Sequence, residues 1–229
     1  MRAFKFRASR DLHYSLDILL CNRLYCSHIS VLNDILEGSL DVSELLNTSV
    51  SLKYARAAEA ECKKLRVCCL TDTFHNALLW SHYAGGYDGF AFEVEIDEED
   101  IWPVEYTDKP RTVAELVGDL SPSEFARTIL ATKRSAWSYE RELRIICPFE
   151  YYKSSHPIVR TILGPRTPDV VAFAIHLLGE QFGVHTDWLQ LQADGSMSTR
   201  PTKREEFEVR IRSPLGGAFG SRNLRFAPR

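Results

Sequence analysis

The stretch "DGFAFEVEI", residues 88–96, constrains the fold of this chain more than any other segment, because large apolar residues occupy every second position. The large apolar set is Phe90, Phe92, Val94 and Ile96, and the residues between are Ala91, Glu93 and Glu95. Successive side chains of a strand point to opposite faces of the sheet, so a strand separates these two sets. The pattern predicts a half-buried strand.

Other segments show the same alternation or the spacing of apolar residues that is typical of helices. We predict strands at 2–7, 66–72, 139–150, 158–165, 188–192 and 205–213, and helices over 11–23, 41–64, 74–84, 111–134 and 166–183. Ser121-Pro122-x-Glu124 has the form of a capping box at a helix start. The chain is therefore predicted to be α+β: a single domain over residues 1–213 with a mixed, largely antiparallel sheet flanked by helices. Residues 214–229, rich in Gly, Arg and Pro, are predicted to be a loosely ordered tail.

Composition narrows the class of protein. The 229 residues are 45% hydrophobic and carry a formal net charge of -3, so the chain can bury a core and has no basic excess that favours nucleic acid. No run approaches the length of a membrane span, and the start lacks the apolar stretch of a secretory signal. The six cysteines form no CxxC pair, so no zinc site is predicted. The missing signal and span predict reduced thiols, no membrane partner and a cytoplasmic location.

The segment "KRSAWSYERELRI", residues 133–145, holds the first candidate site. Glu140 and Glu142 are two apart and precede Arg144, so a strand would put all three side chains on one face. A neighbouring arginine lowers the pKa of a glutamate and keeps it ionised. Two interpretations are open: the two glutamates face a ligand pocket, or Arg144 pairs with Glu142 and the pair is structural.

Two further groups could bind a ligand. Trp80 and Tyr83 lie at the helical spacing that places them with Asn76 on one stripe, next to a stripe that contains His82. This stripe could stack on a flat nucleobase or nicotinamide, or could simply belong to the core.

Lys5 and Arg7 point the same way from the first predicted strand. They would either clamp a phosphate or form a solvated face. The glycine and catalytic motifs of common dinucleotide oxidoreductases, P-loop enzymes, zinc proteases and α/β-hydrolases do not occur.

Several of these segments together resemble the bacterial domain-of-unknown-function family numbered 2971. The shared elements are "FKFR", "NDILEG", "NALLWSHYAGG" and "WSYERELR", over roughly residues 4–166. The chain departs from the family pattern at Ile35, where the family has proline, at Leu70-Thr71, where it has Phe-Ser, and at Leu143, where it has tryptophan. The family name implies no activity.

The layout is similar, more distantly, to that of ADP-ribosyltransferases, which split NAD. This resemblance implies that Arg7 or Lys5 grips the NAD phosphate or ribose, and that Tyr25 or Ser27 lines the nicotinamide pocket. Glu142 would be the catalytic carboxylate that stabilises an oxocarbenium-like state, with Glu140 as its partner. The resemblance implies NAD as the substrate, a protein or nucleic-acid acceptor, and a role as a toxin or phage-defence effector.

Two alternatives come from other classes of protein. One is a metal-dependent nuclease or hydrolase, in which Asp34, Glu37, His82 and Glu140 would serve a hard cation such as Mg²⁺. The other is a non-catalytic module that binds a nucleotide or a protein partner.

Overall fold

The structure, a computed structural model, describes residues 1–34, 49–109 and 120–207. These residues fall into two compact units. The first unit comprises residue 1 with residues 23–72 and 96–153, and the second comprises residues 2–22, 73–95 and those from 154 onward. The single domain over 1–213 stays a prediction, and the predicted tail from residue 214 lies outside the described residues.

Thirteen strands and five α-helices occur in the described ranges. The strands are β1 (Arg2–Arg7), β2 (Arg23–Tyr25), β3 (Ser27–His28), β4 (Arg66–Thr71), β5 (Phe90–Glu95), β6 (Ile101–Pro103), β7 (Glu105–Tyr106), β8 (Thr132–Lys133), β9 (Glu142–Cys147), β10 (Tyr151–Lys153), β11 (Ile158–Leu163), β12 (His185–Leu191) and β13 (Met197–Pro201). The helices are α1 (Leu12–Cys21), α2 (Ser49–Cys62), α3 (Ala77–Tyr83), α4 (Pro122–Leu130) and α5 (Asp169–Phe182). Within the described ranges, every helix is too short or too polar to cross a bilayer.

In the second unit, the strands follow the order β13-β12-β11-β5-β1. Only β11 and β12 pair in parallel, because α5 connects them as a crossover helix; the other neighbours are antiparallel. The first unit pairs β4 with β3 and β9, and β9 with β6, all antiparallel. Its two short sheets are the antiparallel pair β2–β10 and the parallel pair β7–β8. The predicted α+β class with a mixed, largely antiparallel sheet is confirmed.

The prediction that β5 is half-buried is wrong. Both of its faces are covered, and Glu93 is only 4% exposed. Residues on both faces are buried in sequence, from Phe90 to Val94. Glu93 is tolerated there because the guanidinium groups of Arg2 and Arg160 each donate a hydrogen bond to its carboxylate, at 3.0 and 2.5 Å.

The core of the second unit gathers aromatic and aliphatic side chains between α3 and the sheet. Its buried members are Phe4, Phe6, Phe74, Leu79, Trp80, Ala84, Ala91, Ile162, Leu189 and Met197. In the first unit, α2 and α4 pack through Ala55, Ala58, Phe125 and Ile129. In each helix the contact residues are three or four positions apart, so they lie on one face.

The start of α4 agrees with prediction, and the start of α3 does not. The capping box of α4 is confirmed, because Ser121 and the N3 residue Glu124 exchange side-chain to backbone hydrogen bonds. By contrast, α3 begins only at Ala77, since the Asn76 side chain accepts a hydrogen bond from the Leu78 N–H and occupies the N-cap. Of the strand predicted at 205–213, residues 205–207 are helical instead and the rest lie outside the described residues.

Candidate functional site

In the first unit, four charged side chains that are almost wholly buried lie together. Lys133, Glu140, Glu142 and Arg144 are exposed by 4%, 3%, 4% and 0%. We call these four residues the buried charge cluster. Buried charges cost free energy unless they are paired and hydrogen-bonded, so their geometry decides what the cluster can do.

Local backbone structure brings the two glutamates together, but not along one strand as predicted. Glu142 opens β9, and alternation places Arg144 on the same face. Glu140 instead ends a 3-10 helix, Ser135–Glu140. Between them Arg141 adopts a left-handed conformation, with φ 47°, which turns the chain back toward the same cluster.

The carboxylate of Glu142 is held at both oxygens. The Arg144 Nε and Nη2 atoms donate to Oε1 and Oε2, each at 2.9 Å, in a bidentate pair. Lys133 Nζ donates to Oε2 at 3.1 Å and to the Glu140 Oε2 atom at 2.6 Å. The remaining Arg144 nitrogen, Nη1, donates to the Leu130 carbonyl at 2.5 Å. Each carboxylate thus has a cation as its partner.

These contacts set the protonation state of Glu142. Burial raises its pKa, but the Arg144 guanidinium and the Lys133 ammonium outweigh burial and lower the pKa from 4.5 to about 2. Glu142 is therefore ionised at neutral pH. It is a carboxylate that can stabilise positive charge and a poor general acid.

Backbone groups around the cluster are also satisfied. The Tyr106 hydroxyl accepts a hydrogen bond from the Glu142 N–H at 2.7 Å, and the Thr71 hydroxyl donates to the Glu140 carbonyl at 2.7 Å. Burial and the two nearby carboxylates raise the pKa of Tyr106 to about 12, so it stays protonated. The cluster is therefore tied to β4, β7 and β9 by hydrogen bonds at each step.

The 3-10 helix that ends at Glu140 carries two half-buried aromatic rings next to this cluster. The ring centroids of Trp137 and Tyr139 are 6.0 Å apart, and Lys133 Nζ lies 4.9 Å from the Trp137 centroid. We call Trp137 and Tyr139 the aromatic surface. Arg134 and Arg141 flank it, with side chains 49% and 62% exposed. They pair with Asp34 and Asp72, respectively.

Two further candidates from the sequence, Tyr25 and Ser27, also belong to the first unit. The Tyr25 ring makes an edge contact with Tyr151 at 5.6 Å. The Ser27 hydroxyl donates to the Val67 carbonyl at 3.2 Å. Both side chains thus have structural contacts of their own.

The remaining candidates lie in the second unit. Trp80 is fully buried, and its indole N–H donates to the Phe74 carbonyl at 2.8 Å. Trp80 is therefore a core residue, and the Asn76 side chain is used as the N-cap of α3. Tyr83 packs against the same core, whereas His82 is exposed.

Lys5 and Arg7 do not form a solvated face. Lys5 is only 8% exposed, and the Arg7 guanidinium lies 4.8 Å from the centroid of the Tyr14 ring. The contact with Tyr14 is a cation–π interaction that gives Arg7 a structural role.

The residues proposed for a metal-dependent hydrolase are engaged elsewhere or separated. Asp34 receives two hydrogen bonds from Arg134, both at 3.2 Å, and Glu140 pairs with Lys133. Glu37 lies outside the described residues. Across the described ranges, no three His, Cys, Asp or Glu side chains stand close enough together to hold a metal ion.

Comparison with protein-family models, with curated proteins and with solved structures finds no match. The resemblances to family 2971 and to ADP-ribosyltransferases therefore stay predictions that rest on the motifs alone.

Removing one member of the buried charge cluster should destabilise the first unit far more than removing one member of an exposed ion pair. We expect Lys133→Met to lower the free energy of unfolding by about 3–5 kcal/mol, because it leaves two carboxylates with less positive charge in a buried place. The matched control is Arg141→Met, which breaks the exposed pair with Asp72 and should cost about 1 kcal/mol or less. Urea denaturation measures both, and equal losses would contradict the assignment.

The low pKa of Glu142 should make stability fall in acid. A carboxyl whose pKa drops on folding stabilises the native state above its unfolded pKa of 4.5, and this stabilisation disappears as the pH falls toward about 2. The shift corresponds to about 3 kcal/mol. A carbon-13 NMR titration of the Glu142 carboxyl should give a midpoint near 2, and a midpoint at 4.5 or above would refute this.

Proposed function

We propose that this protein is a nucleotide-binding module whose ligand contacts the aromatic surface. The observation that carries the proposal is the pair of half-buried rings, Trp137 and Tyr139, between two exposed arginines on one short 3-10 helix. Aromatic rings stack on bases, and guanidinium groups bind phosphate oxygens in two-pronged fashion. A nucleotide has both of these features in one molecule.

The buried charge cluster supports this role because it holds the segment that bears the two rings. It fixes the two ends of the segment that bears the rings, since Lys133 precedes the 3-10 helix and Glu140 ends it, and the two side chains are joined at 2.6 Å. A loop held at both ends loses less conformational freedom when a ligand binds. In this proposal Glu142 is a positioning group, because its two oxygens are already bonded to cations and 4% exposure leaves little access.

Arg141 pairs with the partly exposed Asp72, whereas Arg134 pairs with the buried Asp34. Exposed ion pairs contribute little to stability, so an incoming phosphate can exchange with Asp72 at small cost, while uncovering the Asp34 carboxylate would cost more. Arg141 is the more accessible of the two. It is therefore the arginine that we assign to phosphate.

ADP-ribosyl transfer from NAD is the second candidate function. The observation that favours it is the ionised state of Glu142, which is the form that stabilises an oxocarbenium-like centre. The transfer requires that Glu142 be uncovered and that its bidentate pair with Arg144 open. The proposed binding module requires no such change, so we rank it first.

Nucleotide binding should quench the fluorescence of Trp137. We expect NAD, ADP-ribose or ATP to bind, and Trp137→Leu to weaken binding by about 5- to 100-fold, since stacking of one base contributes about 1–3 kcal/mol. The matched control is Trp102→Phe, which changes a half-buried tryptophan of β6 in the same unit. Fluorescence titration, with calorimetry as a second method, gives the dissociation constants. Unchanged affinity in Trp137→Leu would exclude the aromatic surface.

NAD turnover distinguishes the two candidate functions. We expect the purified protein to bind NAD without releasing nicotinamide, because Glu142 is covered and paired. Chromatography of the reaction mixture measures the release, with Glu142→Gln and Glu140→Gln examined beside the native protein. Release that Glu142→Gln abolishes, in a variant that still melts cooperatively and still binds NAD, would favour the transferase instead.

A further inference from the structure

Two cysteines that are 121 positions apart in sequence come together in the first unit. The sulfur atoms of Cys26 and Cys147 lie 3.7 Å from each other. Cys26 is fully buried, whereas Cys147 is partly accessible to solvent. All six cysteines of the chain are free thiols in this structure.

Backbone hydrogen bonds hold the two cysteines close to each other. Cys26 joins β2 to β3, and its N–H donates to the Glu150 carbonyl at 2.8 Å. Cys147 is the last residue of β9, three positions before Glu150. The pairing of β2 with β10 continues the same contact, with Tyr25 opposite Tyr151. The two sulfurs are therefore held close by regular pairing on both sides of Cys26.

The environment makes the two thiols unequal. The hydrogen bond with Cys26 lowers the pKa of Cys147 to about 7; burial opposes this, and a backbone hydrogen bond at Phe149 and the Arg127 charge assist it. The same hydrogen bond raises the pKa of Cys26 well above its usual value, and the adjacent thiol of Cys68 adds to this. Cys147 is thus the nucleophile of the pair and Cys26 the thiol that keeps its proton.

We propose that Cys147 and Cys26 form a peroxide-sensitive thiol pair that closes to a disulfide. In the first step the Cys147 thiolate attacks one oxygen of a hydroperoxide; the O–O bond breaks, Cys147 becomes a sulfenic acid, and hydroxide or alkoxide leaves. In the second step the Cys26 sulfur attacks the Cys147 sulfur. The S–S bond forms, the S–O bond breaks, and the Cys26 proton leaves with the hydroxyl group as water.

The pair has the features that such chemistry needs. The attacking thiol is partly accessible, and the second thiol is already at van der Waals distance, so the sulfurs have to approach from 3.7 Å to the bonding distance of about 2 Å. Other thiols of the chain differ. Burial raises the pKa of Cys62 to about 11, and Cys68 is fully buried in β4. Cys21 is exposed but belongs to the second unit.

The experiment is peroxide treatment of the full-length native protein, followed by peptide mass spectrometry without reduction. We expect a disulfide between the Cys26 and Cys147 peptides, a loss of two thiols per chain by colorimetric titration, and recovery of both on reduction. In Cys26→Ser, oxidation should stop at a sulfenic acid on Cys147 that dimedone traps. In Cys147→Ser, no disulfide should form. Cys21→Ser is the matched control and should behave as the native protein does.

Each result decides the proposal. A Cys26–Cys147 disulfide in the native protein and in Cys21→Ser supports it. A native protein that keeps all six thiols, that stops at sulfenic acid, or that joins Cys26 to Cys68 instead would overturn it. Because the native protein alone gives this result, misfolding of a serine variant would not rescue the proposal.

Discussion

The first unit depends on the bidentate pair between Glu142 and Arg144. Four charges are removed from water in this cluster, and their desolvation would be prohibitive if any one lacked a partner. Two cations face two carboxylates, so the cluster is neutral as a whole. The bond from Arg144 to the Leu130 carbonyl adds the end of α4 to the same network. A shift of β9, the 3-10 helix or α4 alone would therefore break a hydrogen bond or an ion pair of this cluster.

Alternation along a strand was the reliable signal in the sequence. It predicted β1, β5 and β9, although the strand predicted at 139–150 is longer than β9. The positions that it predicted poorly are those where a distant partner decides. Glu93 on β5 is buried because Arg160, sixty-seven positions away, reaches its carboxylate. No local pattern contains that contact, so the burial of the second face could not be predicted.

The candidate site was also predicted only in part. The segment 133–145 was singled out because of its charges, and it does contain the buried charge cluster. Its geometry was not predictable, because the left-handed Arg141 separates Glu140 from the strand and because Lys133, which was not chosen as a site residue, bridges both glutamates. Tyr106 was missed as well, since its hydroxyl meets the Glu142 N–H only through the pairing of β7 with β8. Trp80 looked like a ligand contact because indole needs a polar partner, and the Phe74 carbonyl is that partner.

Strand β9 begins at Glu142 and ends at Cys147, so the charge cluster and the thiol pair occupy the two ends of one strand. Five steps along the extended chain separate them by about 17 Å. A direct electrostatic effect of the thiols on Glu142 would be weak over that distance. Any influence would instead pass through the strand, and the Glu142–Arg144 bidentate pair opposes shifts at its start. The proposed oxidation at Cys147 and the proposed binding at the aromatic surface are therefore expected to be separable, since each depends on its own end of β9.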